Sequence, residues 1–106
     1  MSLHIEGRRW FQRTYGNTYH TVYIYSDGEC VYSSPKEYGY DYQYITTALE
    51  WLRDSPDAMQ YITPDQRDEL DVRHNNGCYK WHGTQALREL LGASHSCIDV
   101  PRERDL

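Results

Sequence analysis

Four groups of residues carry side chains of the kind that chemistry or recognition needs. His74, Cys78 and His82 are spaced H-x3-C-x3-H, and His95-Ser96-Cys97 adds two further potential ligands. On one continuous helix that spacing would gather three zinc donors on a single face. Asn75-Asn76-Gly77 and Gly83 break a helix there. If residues 78–82 form a strand, Cys78 and His82 stand about 13 Å apart, too far to share an ion with bonds of about 2.0–2.3 Å. The plainer reading is scattered His and Cys on a loop and a short strand, so no metal and no cofactor are expected. Cys30 and His20 share a sheet but are expected on opposite faces, outside the reach of a nucleophile and its base. Asp27 and Glu29 are accounted for by turn chemistry. An enzyme is not expected.

The other two groups suit binding. Trp10, Tyr23, Tyr25 and Tyr32, edged by Arg8, Gln12 and Thr21, fit a platform on which unpaired bases stack. Against this, a three-stranded sheet must bury at least one face, and aromatics are good core residues. Asp54, Asp57, Asp65, Asp68, Glu69 and Asp71 form an acidic cluster set against Arg53 and Arg67. Asp65, Asp68 and Asp71 on a helix would complement a basic groove, although a solvated surface helix explains the same pattern. Tyrosine and tryptophan are enriched at interface hot spots. With 11 Tyr and 3 Trp the chain has more of them than one core needs. Tyr38, Tyr40 and Tyr42, at every second position before a helix, are expected to meet a partner.

These residues must be held by a small set of elements. Residues 5–13 read as a first strand. Gly16-Asn17 is a two-residue hairpin signal, and residues 18–26 read as a second strand. Asp27-Gly28 is a stronger turn signal, followed by a third strand over 29–34 that Pro35 ends. Two-residue turns set Phe11 opposite Val22, Trp10 opposite Tyr23, Arg8 opposite Tyr25, Ile24 opposite Val31, Tyr23 opposite Tyr32 and Tyr25 opposite Cys30. Phe11, Val22, Ile24 and Val31 then share one face. Arg8, Trp10, Tyr23, Tyr25, Cys30 and Tyr32 share the other.

Residues 35–43 read as a loop or short edge strand, with Asp41 as a helix cap. Ile45, Ala48, Leu49 and Leu52 form a helical stripe, stopped at Asp54-Ser55-Pro56. Thr63-Pro64-Asp65-Gln66 opens a helix with a capping box, ended by Asn75-Asn76-Gly77. Thr84 to Leu91 forms a last helix before Gly92. A polar tail follows, with one short strand candidate at 97–100 and a frayed end from Pro101. The expected fold is α+β: a three-stranded antiparallel meander with a helix on one face, then a small helical C-terminal part. One domain is expected, divided into residues 1–55, 56–92 and 93–106.

Composition narrows the function classes. The 106 residues carry a net charge of −5, against the basic footprint that duplex DNA or an anionic membrane demands. Mean hydropathy is −0.89, yet the 14% aromatic content supplies large buried area per residue, so an ordered fold is expected. No apolar run approaches a membrane span. The N-terminus lacks the apolar core of a signal peptide. Three cysteines, an odd number, read as reduced thiols in a cytoplasm.

Trp10-Phe11, Gly16-Asn17-Thr18-Tyr19-His20-Thr21-Val22, Tyr38-Gly39-Tyr40, Gln43-Tyr44-Ile45 and Ala48 together form a pattern over residues 8–52. It resembles a group of short proteins carried by phages and other mobile elements. The resemblance implies a phage-encoded binding protein in a host cytoplasm, with no catalytic residues carried over. Small acidic phage proteins of this kind block host machinery, so the expected function is an anti-CRISPR-like inhibitor of a host protein or ribonucleoprotein complex. The alternative is a single-stranded nucleic-acid-binding module using the aromatic sheet face.

Overall fold

The computed structural model describes residues 3–39, 43–76 and 83–106, with side chains over 3–39, 43–72 and 87–106. Over the described residues the fold is α+β: an open sheet of five strands with three α-helices. In order come β1 (Leu3–Gln12), β2 (Asn17–Ser26), β3 (Glu29–Ser33), β4 (Glu37–Tyr38), α1 (Gln43–Asp54), α2 (Pro64–Asn76), α3 (Gly83–Leu91) and β5 (Ser94–Val100). The sheet order is β3-β2-β1-β5, with β4 also paired to β2 beyond the end of β3. This corrects the expected three-stranded meander. β5 lies parallel to β1 and makes the sheet mixed. The strand candidate in the polar tail is therefore a full edge strand. Past it, residues Glu103–Asp105 form a 3-10 turn instead of a frayed end.

The β1–β2 register differs from the expected one by four residues. Gln12 pairs with Asn17, so four residues, Arg13 to Gly16, make the turn. Gly16 closes it in the left-handed region at φ 70°, donating its N–H to the Gln12 carbonyl at 2.8 Å. Trp10 thus faces Tyr19, and Arg8 faces Thr21. A shift by an even number keeps every side chain on its expected face. The Asp27-Gly28 turn is the two-residue kind, with both φ values positive, as type I′ geometry requires.

A bulge then separates the Tyr25–Cys30 pair from the Ile24–Tyr32 pair. The extra residue turns Tyr32 onto the face of Ile24, opposite the side expected for it. Beyond β3, Ser34 keeps the edge bonded across the irregular Ser34–Lys36 step. Its N–H donates to the Val22 carbonyl at 2.9 Å, and its Oγ accepts from the Val22 N–H at 2.9 Å.

The described α-helices build one layer. Ile45, Ala48, Leu49 and Leu52, the helical stripe, are fully buried against Leu3, Ile5, Val22 and Ile24. Gly7 is where the helix comes closest: a Cβ there would run into the ring of Tyr44. The Thr63 capping box forms as its residue types imply: Gln66 Oε1 accepts from the Thr63 N–H at 2.8 Å, and Thr63 Oγ1 accepts from the Gln66 N–H at 3.1 Å. Arg67 of α2 donates to the Arg53 carbonyl at the end of α1 at 2.6 Å. Gln66 donates to the Leu90 carbonyl of α3 at 3.2 Å. The sheet therefore has one helix-covered face and one face on which none of the described helices packs.

Candidate binding face

The open face is built by alternation. On β1 it presents His4, Glu6, Arg8 and Trp10; on β2, Tyr19, Thr21, Tyr23 and Tyr25. Tyr38 joins from β4, opposite Tyr19. From β5 come Ser94, Ser96, Ile98 and Val100, opposite His4, Glu6, Arg8 and Trp10 respectively.

Aromatic rings run across one end of this face. Trp10 stacks on Tyr19 with centroids 5.9 Å apart, and Tyr19 meets Tyr38 edge-on at 5.7 Å. Tyr38 is 65% exposed. Offset-stacked and edge-to-face contacts are the favoured aromatic geometries, contributing about 0.5–1.5 kcal/mol each beyond area burial. They hold the rings in place against one another.

The middle of the face is polar and paired. The Arg8 guanidinium lies 4.4 Å from the centre of the Tyr23 ring and 3.5 Å from Glu6. Tyr25 Oη donates to Glu6 at 3.1 Å, and its pKa is raised, first by burial and then by that carboxylate. His4 bonds Ser94 Oγ at 2.7 Å and Ser96 Oγ at 3.1 Å. The C-terminal turn reaches this side. Arg8 Nη1 donates to the Asp105 carbonyl at 3.5 Å, and Lys36 pairs with Glu103 at 3.0 Å while lying 4.9 Å from the Tyr19 ring centre. Arg8 Nε and Thr21 Oγ1, on directly opposed residues, are buried without a hydrogen-bond partner.

Among the residues singled out from sequence, Arg8, Trp10, Tyr23, Tyr25 and Tyr38 come together here. Tyr32 does not. It stacks on Trp51 of α1 at 4.5 Å and 13°, on the helix side, where burial and Glu37 raise its pKa. Asp65 and Asp68 are exposed on α2, as is Asp71, which belongs to the helix layer and not to this face. Tyr40 and Tyr42 lie outside the described residues, as do Cys78 and His82 and the side chain of His74. Tyr19 was missed from sequence. The alternation Tyr19, Thr21, Tyr23, Tyr25 along β2 was the signal that would have found it.

The catalytic alternatives are placed as follows. Cys30 is exposed and opposite Tyr25, whereas His20 is buried on the helix side. His20 Nδ1 lies 3.3 Å from the Gly39 carbonyl and Nε2 lies 2.7 Å from Thr47 Oγ1. With Nδ1–H donating, Nε2 accepts the hydroxyl proton, and the ring fastens the chain before α1 to α1 itself. Burial lowers its pKa. Cys97 packs against the core and its thiol pKa is raised by burial, with Arg9 acting the other way. Among the described residues no cluster of three metal-ligating side chains occurs, and no helix is long and apolar enough to cross a membrane. Comparison with known protein families finds no matching family model, and comparison with curated proteins finds no significant match.

Proposed function

We propose that this is a non-enzymatic binding protein that docks a partner protein on the open aromatic face of its sheet. One observation carries the reading: the helices gather on a single face, leaving Trp10, Tyr19, Tyr23, Tyr25 and Tyr38 partly exposed on the other, with Trp10, Tyr19 and Tyr38 packed ring against ring. Rigid aromatics with polar rims are what interface hot spots are made of.

Charge favours protein over nucleic acid. Among the described residues on the sheet face, Arg8 already has Glu6 and Asp105 as partners and Lys36 has Glu103, while the His4 ring is held by two serines. A phosphate chain needs cations to release its counterions, and the molecule carries −5 overall. In the setting implied by the mobile-element resemblance, the partner is a host protein or ribonucleoprotein complex and the outcome is inhibition. Asp65, Asp68 and Asp71 supply a separate acidic patch for steering toward a basic partner.

The test is capture from host lysate after nuclease treatment, with the wild type beside a Trp10→Ala/Tyr38→Ala variant. A nuclease-resistant partner that the variant fails to hold supports the proposal. Retention by the variant contradicts it. So does tryptophan quenching by an oligonucleotide that fades with salt, which is the behaviour of a nucleic-acid platform.

A further inference from the structure

β5 is an edge strand. One side is bonded to β1, and among the described residues no strand pairs with the other. Such an edge offers a row of backbone donors and acceptors to any chain of matching shape and charge. Its sequence, Ser94 to Val100, is arranged about Cys97 with a basic-type residue two positions before (His95) and an acid two positions after (Asp99). A second β5 laid antiparallel and centred on Cys97 sets His95 of each copy opposite Asp99 of the other. Directly opposed residues share a face with Cβ atoms about 4.5–5.5 Å apart, where opposite charges attract and like charges repel.

Both pairs lie on the helix side of the sheet. There His95 is exposed with its Nδ1 3.0 Å from Tyr44 Oη, so the outward Nε2 is the atom offered across the edge, and the Asp99 side chain, although held by Arg9 at 2.9 Å, is still 76% exposed. On the other side the same register sets Ile98, 50% exposed, against Ser96 of the second strand. A register centred on Asp99 would bring two carboxylates together, and one centred on His95 would bring two imidazoles together. Of these registers only the one centred on Cys97 sets an imidazole opposite each Asp99 carboxylate.

We propose that β5 pairs antiparallel with β5 of a second copy, centred on Cys97 and locked by two reciprocal His95–Asp99 contacts. The two-fold axis then stands perpendicular to the sheet. The strands run β3-β2-β1-β5-β5-β1-β2-β3 in one continuous sheet. Both helix layers lie on one side and both aromatic faces on the other, side by side.

The test is sedimentation of the full chain over roughly a hundredfold range of concentration, since self-association is concentration-dependent. Wild type is expected to pass from 12.6 kDa toward twice that mass. His95→Asp, which opposes two carboxylates, is expected to stay monomeric. His95→Asp combined with Asp99→Lys, which restores opposite charges in this register alone, is expected to dimerise again. Circular dichroism verifies the fold of each variant. Amide exchange on the wild type serves if a variant misfolds, with protection over residues 94–100 expected to rise with concentration. A monomeric wild type overturns the proposal, as do unchanged exchange, dimerisation of His95→Asp equal to wild type, or a folded double variant that stays monomeric.

Discussion

His20 shows how one side chain can join layers. It is buried, and its neutral ring bridges the Gly39 carbonyl and the Thr47 hydroxyl. Its pKa is lowered from 6.5 because burial disfavours the cation, outweighing the Gly39 bond and the Glu37 charge. A histidine held neutral in the fold contributes stability that is fully present above its unfolded pKa and is lost as pH falls through the folded one. Denaturant unfolding is therefore expected to show stability falling as the pH drops below about 6.5. His20→Gln should be less stable at neutral pH and show a shallower fall. An equal fall in both would remove His20 as the cause. Gly7 is a second single-residue constraint. Gly7→Val would push a branched side chain into the Tyr44 ring, and overpacking of this kind costs about 1–3 kcal/mol, readable as a shifted denaturation midpoint. Thiol labelling should reach exposed Cys30 before Cys97, whose pKa burial raises.

At the scale of elements, the helices were the most legible part of the sequence. The stripe Ile45, Ala48, Leu49 and Leu52 needs only the 3.6-residue period, and all four are buried. The Thr63–Gln66 box needs only local chemistry, so Thr63→Ala is expected to cost about 1 kcal/mol by thermal or denaturant melting. Registers were less legible. Gly16-Asn17 reads as a two-residue turn, yet the chain makes a four-residue one closed by Gly16, because a glycine in the left-handed region suits either. The bulge at Val31 leaves no mark in the sequence, and it moved Tyr32 from the open face to the side of Trp51. β5 was legible only in part. As an edge strand it has little to bury, so Ser94-His95-Ser96 carries none of the alternation that a half-buried strand shows.

Across the whole molecule the central fact is asymmetry. A helix layer covers one face of the sheet and buries the aliphatic core. The other face keeps its aromatics ordered by one another and by the C-terminal turn. The grouping of Arg8, Trp10, Tyr23 and Tyr25 on one face was legible from residue types and alternation, whereas the sequence left open whether that face is covered; in the structure Tyr19 and Tyr38 join it and Tyr32 leaves. The proposed docking function predicts that losing two aromatic anchors weakens partner binding by about 2 kcal/mol or more, roughly thirtyfold. Melting should change little for Tyr38, which is mostly exposed. The most direct measurement is oxidative footprinting of the purified complex, read residue by residue. The account predicts protection of Trp10, Tyr19, Tyr23 and Tyr38, with Tyr15, Trp51 and Tyr61 unchanged. Protection of Trp51 and Tyr61 with Trp10 and Tyr38 still reactive would contradict it.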